Sequence, residues 1–352
     1  MIAWRVVLTA ADRQKFGSFL RRLVYWRLGG LSPLFVSPGT PRAEMPAILA
    51  SHSPSSILSV IVLYNCELAQ SLSFSSLLQI LNANPELAKH LSLVLYDNSP
   101  QPQSHTTSAA FPICYIHDPS NGGLAAAYNF ALARAESEER EWLLLLDQDT
   151  TLTGEFLSEL VEAAGTLHPR SEVAAIAPKL RVNGRIDSPA SDFFGLMRRQ
   201  FLPPEPAMSE DVVGIQEQPL CSYNSASTLR VKALRSIGGF PAEFWLDFMD
   251  HAVFHALFVR GYRVYVMLAT LTHDSSYANH QNLPLWRLLN ILRARTLHVQ
   301  KSGSFIDRFL YRIWLLRHSR NLRESYKDPR AWRETALQAL RLKAPKDKRL
   351  LT

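Results

Sequence analysis

The chain has 352 residues, 47% of them hydrophobic and 20% charged, with 38 Lys and Arg against 31 Asp and Glu for a net charge of +7. This composition excludes a disordered, collagenous or coiled-coil protein and leaves room for one large domain or two smaller ones. Residues 1–50 hold 7 basic and 2 acidic side chains (+5), residues 51–280 hold 14 and 24 (−10), and residues 281–352 hold 17 and 5 (+12). An acidic middle between basic ends points to a cation-using core and a tail that faces something anionic. Three scattered cysteines, Cys66, Cys114 and Cys221, form no CxxC pair. They read as small core residues in a reducing compartment rather than as zinc ligands or a disulfide framework. No apolar run approaches the ~18 residues of a bilayer span. Arg13, Lys15, Arg21 and Arg22 break the early apolar runs, so a signal peptide is not expected.

Residues 1–54 read as a basic arm and linker. Trp4 to Leu28 has the pattern of a basic amphipathic helix, and Gly29 to Pro54 is rich in Gly, Pro and Ser. A strand–helix rhythm then begins. Ile57 to Tyr64, Leu91 to Tyr96, Ile113 to His117 and Trp142 to Leu146 are short, mostly apolar runs that suit buried parallel strands. Helices are expected over Leu68–Asn82, Leu124–Glu136 and Gly154–Leu167. This alternation predicts an open α/β sheet whose ligands bind beyond the carboxyl ends of the strands. The second half is less regular. Strands are expected at Val173–Pro178, Ser222–Arg230 and Tyr262–Met267, and helices at Val231–Ile237 and Asp250–Arg260. Arg185 to Val213 is Pro-rich and reads as a substrate-side insertion.

The polar groups just after each strand carry the chemistry. Asp147-Gln148-Asp149 follows the WLLLL strand. Two carboxylates one residue apart at a strand end can address one hard divalent cation that bridges to substrate phosphates, or form a solvated acidic turn with Thr150 or Thr153 capping the next helix. Asp97, after the second strand, suits either a nucleoside hydrogen bond or an Asx turn. Asn121-Gly122-Gly123 suits either phosphate at a helix N-terminus or a plain glycine turn. Asp247 and Asp250 stand one helical turn apart, as a general base or as acids favoured by a helix N-terminus. His273 is either a metal ligand or a structural histidine. Neither a dinucleotide GxGxxG nor a Walker A sequence is present.

Taken in order, these segments resemble the family-2 glycosyltransferases of the GT-A fold, and most of all the rhamnosyltransferase-type members. Ser59–Asn65 resembles the first-strand signature and Val94–Ser99 the strand ending in the nucleoside-contacting Asp. Asn121–Asn129 (NGGLAAAYN) resembles the loop and helix that follow, and Leu143–Thr150 the metal motif. Ser222–Phe240 resembles the acceptor-side strand and its Gly-Gly-Phe turn. Phe244–Gly261 resembles the segment holding the catalytic base.

The resemblance implies Asn65, Asp97, Asn121, Gly122, Gly123, Asn129 and Asp147 as the nucleotide-sugar site. It implies Asp147, Asp149 and His273 around Mg²⁺ or Mn²⁺, with Ser225 and Trp245 on the acceptor side. Asp250 is the implied base and Asp247 the reserve. Met249, His251 and Ala256 depart from the family's habit. So does Ser225-Ala226-Ser227, where Ser-Gly-Ser is usual, which is expected to narrow the acceptor pocket.

The expected architecture is therefore α/β: a GT-A fold with an open, mostly parallel sheet, helices on both faces and a C-terminal basic helical segment. Its boundaries fall at 1–54, 55–280 (a nucleotide half to 150, an acceptor half beyond) and 281–352. The implied activity is inverting, metal-dependent transfer of a rhamnose-like sugar from a dTDP- or UDP-linked donor. The implied acceptor is a glycan or polyprenyl-linked glycan of a bacterial surface polysaccharide. Trp286 to Arg349 mixes Arg with Leu, Phe and Trp, which suits either peripheral contact with the inner face of the cytoplasmic membrane or a packing helix with a solvated Arg face, and suits nucleic acid less. Two other readings stay open: a catalytically degenerate scaffold or sugar-binding protein, and a sugar-phosphate nucleotidyltransferase.

Overall fold

The computed structural model describes residues 56–104, 109–190, 208–273 and 283–341. The N-terminal arm with its expected helix, most of the Pro-rich insertion and the last eleven residues lie outside the described residues.

Four strands build the first half of the sheet: β1 (Ile57–Leu63), β2 (Leu91–Asp97), β3 (Ile113–His117) and β4 (Trp142–Asp147). They lie parallel in the order β3-β2-β1-β4. Every residue of β1 and β2 is buried, as the unbroken apolar runs require of strands covered on both faces. The period of two then divides the core. Leu58, Val60, Val62, Leu143 and Leu145 enter one apolar cluster, and Ile57, Ile61, Leu63, Leu144 and Leu146 enter the other. The second cluster is completed by α1 (Leu72–Ala83) and α3 (Gly154–Thr166), and the first by α2 (Gly123–Ser137).

The second half is mixed. β5 (Val173–Val182) lies parallel to β9 (Arg263–Thr272), and β6 (Arg185–Ser188) and β7 (Gly214–Gln216) are short antiparallel additions. β8 (Thr228–Arg230) runs antiparallel to both β4 and β5 and joins the two halves. It is far shorter than the expected Ser222–Arg230, because the chain turns at Asn224–Ser227, with Ala226 left-handed, and only Ala226 and Ser227 of that stretch hydrogen-bond the β4 backbone, at Leu145. Helices α4 (Val231–Ser236) and α5 (Met249–Val259) follow.

The C-terminal basic segment forms three helices: α6 (Leu285–Ser302), α7 (Phe305–Ser325) and α8 (Pro329–Arg341). Ile291 and Ala294 of α6 enter the same apolar cluster as β1 and α2, so this helix shares the core of the sheet. Thr296 of α6 hydrogen-bonds Tyr311 of α7 at 2.9 Å and Gln338 of α8 at 3.2 Å. No helix among the described residues is long and apolar enough to cross a membrane.

Arg230 fastens the junction between the halves. It is 6% exposed. Its guanidinium donates to the carbonyls of Val173 (2.8 Å), Leu167 (2.7 Å) and Arg170 (3.2 Å), and pairs with Glu141. It also lies 4.3 Å over the Trp142 ring. An isolated buried charge is costly, but here every face of the guanidinium meets a partner. Arg230→Ala leaves three carbonyls and Glu141 without their donor and is expected to lower unfolding free energy by about 3–5 kcal/mol. Urea titration followed by fluorescence would register this as a lower midpoint; Arg230→Lys should recover only part, since an ammonium cannot reproduce the planar fork.

Candidate active site

The site assembles where β1, β2 and β4 end. Asp97 pairs in register with Leu63, and Asp147 with Val62. One strand therefore separates the two acidic strand ends, which places them about 10 Å apart. Asn65 and Asn121 follow their strands with φ of 48° each. Asn tolerates this left-handed backbone better than most residues, which is why it recurs at these exits.

The Asp147-Gln148-Asp149 turn is clasped by the start of α1. Ser73 Oγ donates to the Asp147 carbonyl and receives the Thr150 amide at 3.1 Å. Ser71 Oγ donates to the Gln148 carbonyl at 2.9 Å, and Gln148 Oε1 accepts the Tyr64 amide at 2.9 Å. The backbone of the turn is thus satisfied by residues some 77 positions earlier, and the two acidic side chains are left over. Asp149 is exposed and Asp147 half-buried. Desolvation raises the Asp147 pKa; the Ser225 hydroxyl hydrogen-bonded to it pulls the other way, and the nearby charge of Asp149 raises it again.

Three further groups act on Asp147 or its neighbours. His273 lowers, and Asp250 raises, the Asp147 pKa through space. Among the described residues the Nδ1 of His273 is buried with no hydrogen-bond partner. Tyr128 of α2 is fully buried, and burial together with the charges of Asp147 and Asp250 pushes its phenol well above the ordinary range. The sequence reading missed Tyr128; its only signal was one aromatic residue in an Ala-rich helix.

The two candidate bases separate clearly. Asp247 is buried and accepts hydrogen bonds at 2.9 Å from both Arg287 and Asn290 of α6. This ion pair and hydrogen bond tie the loop before α5 to α6. Asp250 lies in the first turn of α5, with no ion-pair partner among the described residues. Desolvation raises its pKa from 3.8 to about 6, against the lowering effect of backbone amides that include His251 at 2.8 Å. The turn that aims it is strained, because Phe248 has φ 62°, a conformation costing a bulky residue about 1–2 kcal/mol.

Several other expected contacts turn inward. Asp97 is fully buried. One of its oxygens accepts the Ser99 amide at 2.9 Å, and the other accepts Tyr115 Oη at 2.7 Å and Gln103 Nε2 at 3.1 Å. Gln103 also donates to the Cys66 carbonyl and accepts the Leu68 amide, both at 2.8 Å. Asp97 therefore locks the loops after β1 and β2, and Gln103, which the sequence reading did not single out, is its instrument. Asn129 spends its amide on both sides of Phe240, at 2.7 and 3.0 Å, and holds the Gly-Gly-Phe turn.

The close backbone approach at Gly122-Gly123 is made by the chain itself. Trp245 Nε1 donates to the Asn121 carbonyl at 2.9 Å, and the Leu124 amide donates to the Trp245 carbonyl at 2.8 Å. A Cβ on Gly123 would lie 2.3 Å from Trp245. Trp245 thus fills the turn that the sequence offered to phosphate. Ala226, expected to narrow the acceptor pocket, is fully buried with φ 62° and packs its methyl in the core. Its backbone conformation explains why glycine would be the easier residue there.

The donor set suits a divalent cation in an open site. Asp147 and Asp149 are adjacent carboxylates with no basic partner, and the unpartnered imidazole nitrogen of His273 lies in the same field. Among the described residues no group of three or more His, Cys, Asp or Glu is placed to hold a metal ion, so a cation here would need oxygens from a substrate to complete its shell.

Residues 60–207 match the model of glycosyl transferase family 2. Among solved structures the chain is similar to residues 1–349 of S. aureus TarS, at 16% identity and a TM-score of 0.51 over 81% of each chain. The complex of that protein with UDP-GlcNAc aligns at 15% identity and a TM-score of 0.47 over 82% of each chain. M. tuberculosis glucosyl-3-phosphoglycerate synthase aligns at 13% identity and a TM-score of 0.42, over 71% of this chain and 81% of that one. No curated protein sequence matches the chain. The likeness to TarS shows the GT-A fold, and the domain match makes the protein a glycosyltransferase.

Two stability predictions follow from this geometry. Gly123→Ala forces a methyl against Trp245 at φ +76° and should cost about 2–4 kcal/mol. Gly184→Ala, at φ +78° with nothing within 4 Å, should cost only about 1 kcal/mol. Thermal melts of the two variants side by side check the difference. Asp250 is harder to ionise in the folded than in the unfolded chain. It therefore removes stability as pH rises from 3.8 towards about 6, and the loss is complete above that. Asp250→Asn should be more stable than wild type at pH 8, by about 1–3 kcal/mol, and no more stable at pH 3.

Proposed function

We propose that this glycosyltransferase transfers a sugar from a nucleoside diphosphate donor with inversion, using Asp250 as general base. The observation that carries the reading is the placement of Asp250. It is a desolvated carboxylate with no ion-pair partner among the described residues, within Coulombic reach of Asp147 and so of the acidic turn that would face a diphosphate. A base whose pKa is lifted to about 6 is ionised near neutral pH and still basic enough to accept a proton in the transition state.

In this mechanism the donor lies across the ends of β1, β2 and β4. Asn65, Asn121 and the loop locked by Asp97 and Gln103 border the nucleoside, and Asp147 and Asp149 border the diphosphate. Asp250 takes the proton of an acceptor hydroxyl. The oxygen then attacks the anomeric carbon from the face opposite the departing nucleoside diphosphate. One base on one face favours a single displacement. A divalent cation, Mg²⁺ or Mn²⁺, held by Asp149 with Asp147 and His273, would offset the charge that grows on the leaving group. Ser225 shares the acceptor side with Trp245 and orients Asp147 by donating its hydroxyl.

A rhamnose-like sugar on dTDP, or a UDP-linked sugar, is the proposed donor; the TarS complex with UDP-GlcNAc makes the UDP series the natural companion in a screen. The proposed acceptor is a glycan or polyprenyl-linked glycan of a bacterial surface polysaccharide, met at the inner face of the cytoplasmic membrane.

Differential scanning fluorimetry against nucleoside diphosphate sugars, with Mn²⁺ and with chelator, tests the donor and cation together. One nucleotide should raise Tm in a metal-dependent way, because a ligand bound only by the folded state stabilises it. Asp149→Ala should abolish the shift and Asp250→Asn should keep it while losing turnover by about a thousandfold or more. With the donor identified, kcat/KM should rise tenfold per pH unit below about 6 and level off above it. A folded protein that no nucleotide stabilises would favour the scaffold reading.

A further inference from the structure

We propose that the outer face of α7 is a docking surface for an anionic lipid bilayer. Phe305, Phe309 and Leu316 are 83%, 54% and 47% exposed. Their spacing, with Arg312 and Arg320 between and beyond them, is i, i+4, i+7, i+11 and i+15. These positions fall on one side of a helix and form a stripe about 23 Å long. Ile306, 41% exposed, flanks its start. The opposite face, with Tyr311, Trp314, Leu315, Ser319 and Leu322, is buried, so the stripe is not needed to pack the helix bundle.

Charge selects the partner. Arg312 and Arg320 are exposed and have no ion-pair partner among the described residues. The stripe contains no carboxylate. Asp307, in the first turn, is committed to a capping box with Ser304. A protein partner would prefer an apolar centre depleted of charge with the charges at its rim. Here Arg312 and Arg320 are interleaved with Phe309 and Leu316 within the stripe. That order suits the boundary between headgroups and acyl chains, where Phe and Leu enter the apolar layer and arginine stems keep their guanidinium groups among phosphates. The surface deepens the cellular placement proposed above but uses neither the donor nor the base, so it stands or falls separately.

Co-sedimentation of the full-length protein with vesicles tests it. Binding is expected to vesicles of phosphatidylcholine mixed with phosphatidylglycerol, about tenfold weaker to phosphatidylcholine alone, and weaker again in high salt. Phe305→Ser with Phe309→Ser should reduce binding to the mixed vesicles at least about tenfold. Arg312→Glu with Arg320→Glu should remove the preference for phosphatidylglycerol. Both double variants should keep the wild-type Tm, since the side chains are exposed. No binding to the anionic vesicles, or binding unchanged in both variants, overturns the proposal. So does a concentration-dependent dimer that the Phe variant dissociates, which would give the face to a second copy of the chain. Vesicle binding by a protein that no nucleotide sugar stabilises would keep this surface and remove the proposed transfer reaction; the reverse result would do the opposite.

Discussion

Three carboxylates, those of Asp147, Asp149 and Asp250, are held near one another in a partly water-excluded space, with His273 acting on Asp147 from nearby. Left to itself a chain would not gather like charges where solvent screens them poorly. The arrangement persists because each carboxylate sits on backbone fixed by something else. Asp147 ends a strand paired on both sides, its turn is clasped by Ser71 and Ser73, and Asp250 opens a helix behind a strained Phe248. Such stored repulsion is a common mark of a working site, because a bound cation or proton relieves it.

The scaffold's polar groups divide between those that hold and those left over. Asp97, Gln103, Asn129, Trp245, Asp247 and Arg287 all spend their hydrogen bonds on the chain itself. Their effect is to fix the loops after β1 and β2, the Gly-Gly-Phe turn, and the contacts of α6 and the Trp245 segment with the sheet. At the end of the sheet near Asp147, Asp149 and Asp250 carry carboxylates that none of these groups holds, and the Nδ1 of His273 has no hydrogen-bond partner among the described residues. A donor and an acceptor would find these groups already oriented, so little of their binding energy is lost to ordering the site.

Much of this was legible in the sequence. Strands β1 to β4 and helices α2 and α3 were marked by unbroken apolar runs and by glycine or threonine at their starts, and each lies within two residues of its expected bounds. For β1, β2 and β4 local signals suffice because burial on both faces leaves little polar alternative. β8 was drawn too long because Ser222 to Ser227 has strand-like composition, yet Ala226 must turn left-handed to bring Ser225 to Asp147. The start of α1 was displaced because Ser71 caps the helix while its hydroxyl also serves the turn after β4, a demand arising 77 residues away.

Sequence alone determined the order of the strands' chemistry: which segments are buried on both faces, and that acids and asparagines follow them. Those facts reside in neighbouring residues, and backbone sterics with burial read them out directly. Tertiary structure alone decided which polar side chains are spent. Asp247 and Asp250 are three residues apart and equally acidic on paper. Only the packing of α6 brings Arg287 and Asn290 to one of them and leaves the other desolvated without a cation. Gly123 likewise reads as a phosphate turn until Trp245, more than a hundred residues later, is seen to occupy it. Long-range pairing of this kind depends on where whole helices pack, and no local pattern encodes it.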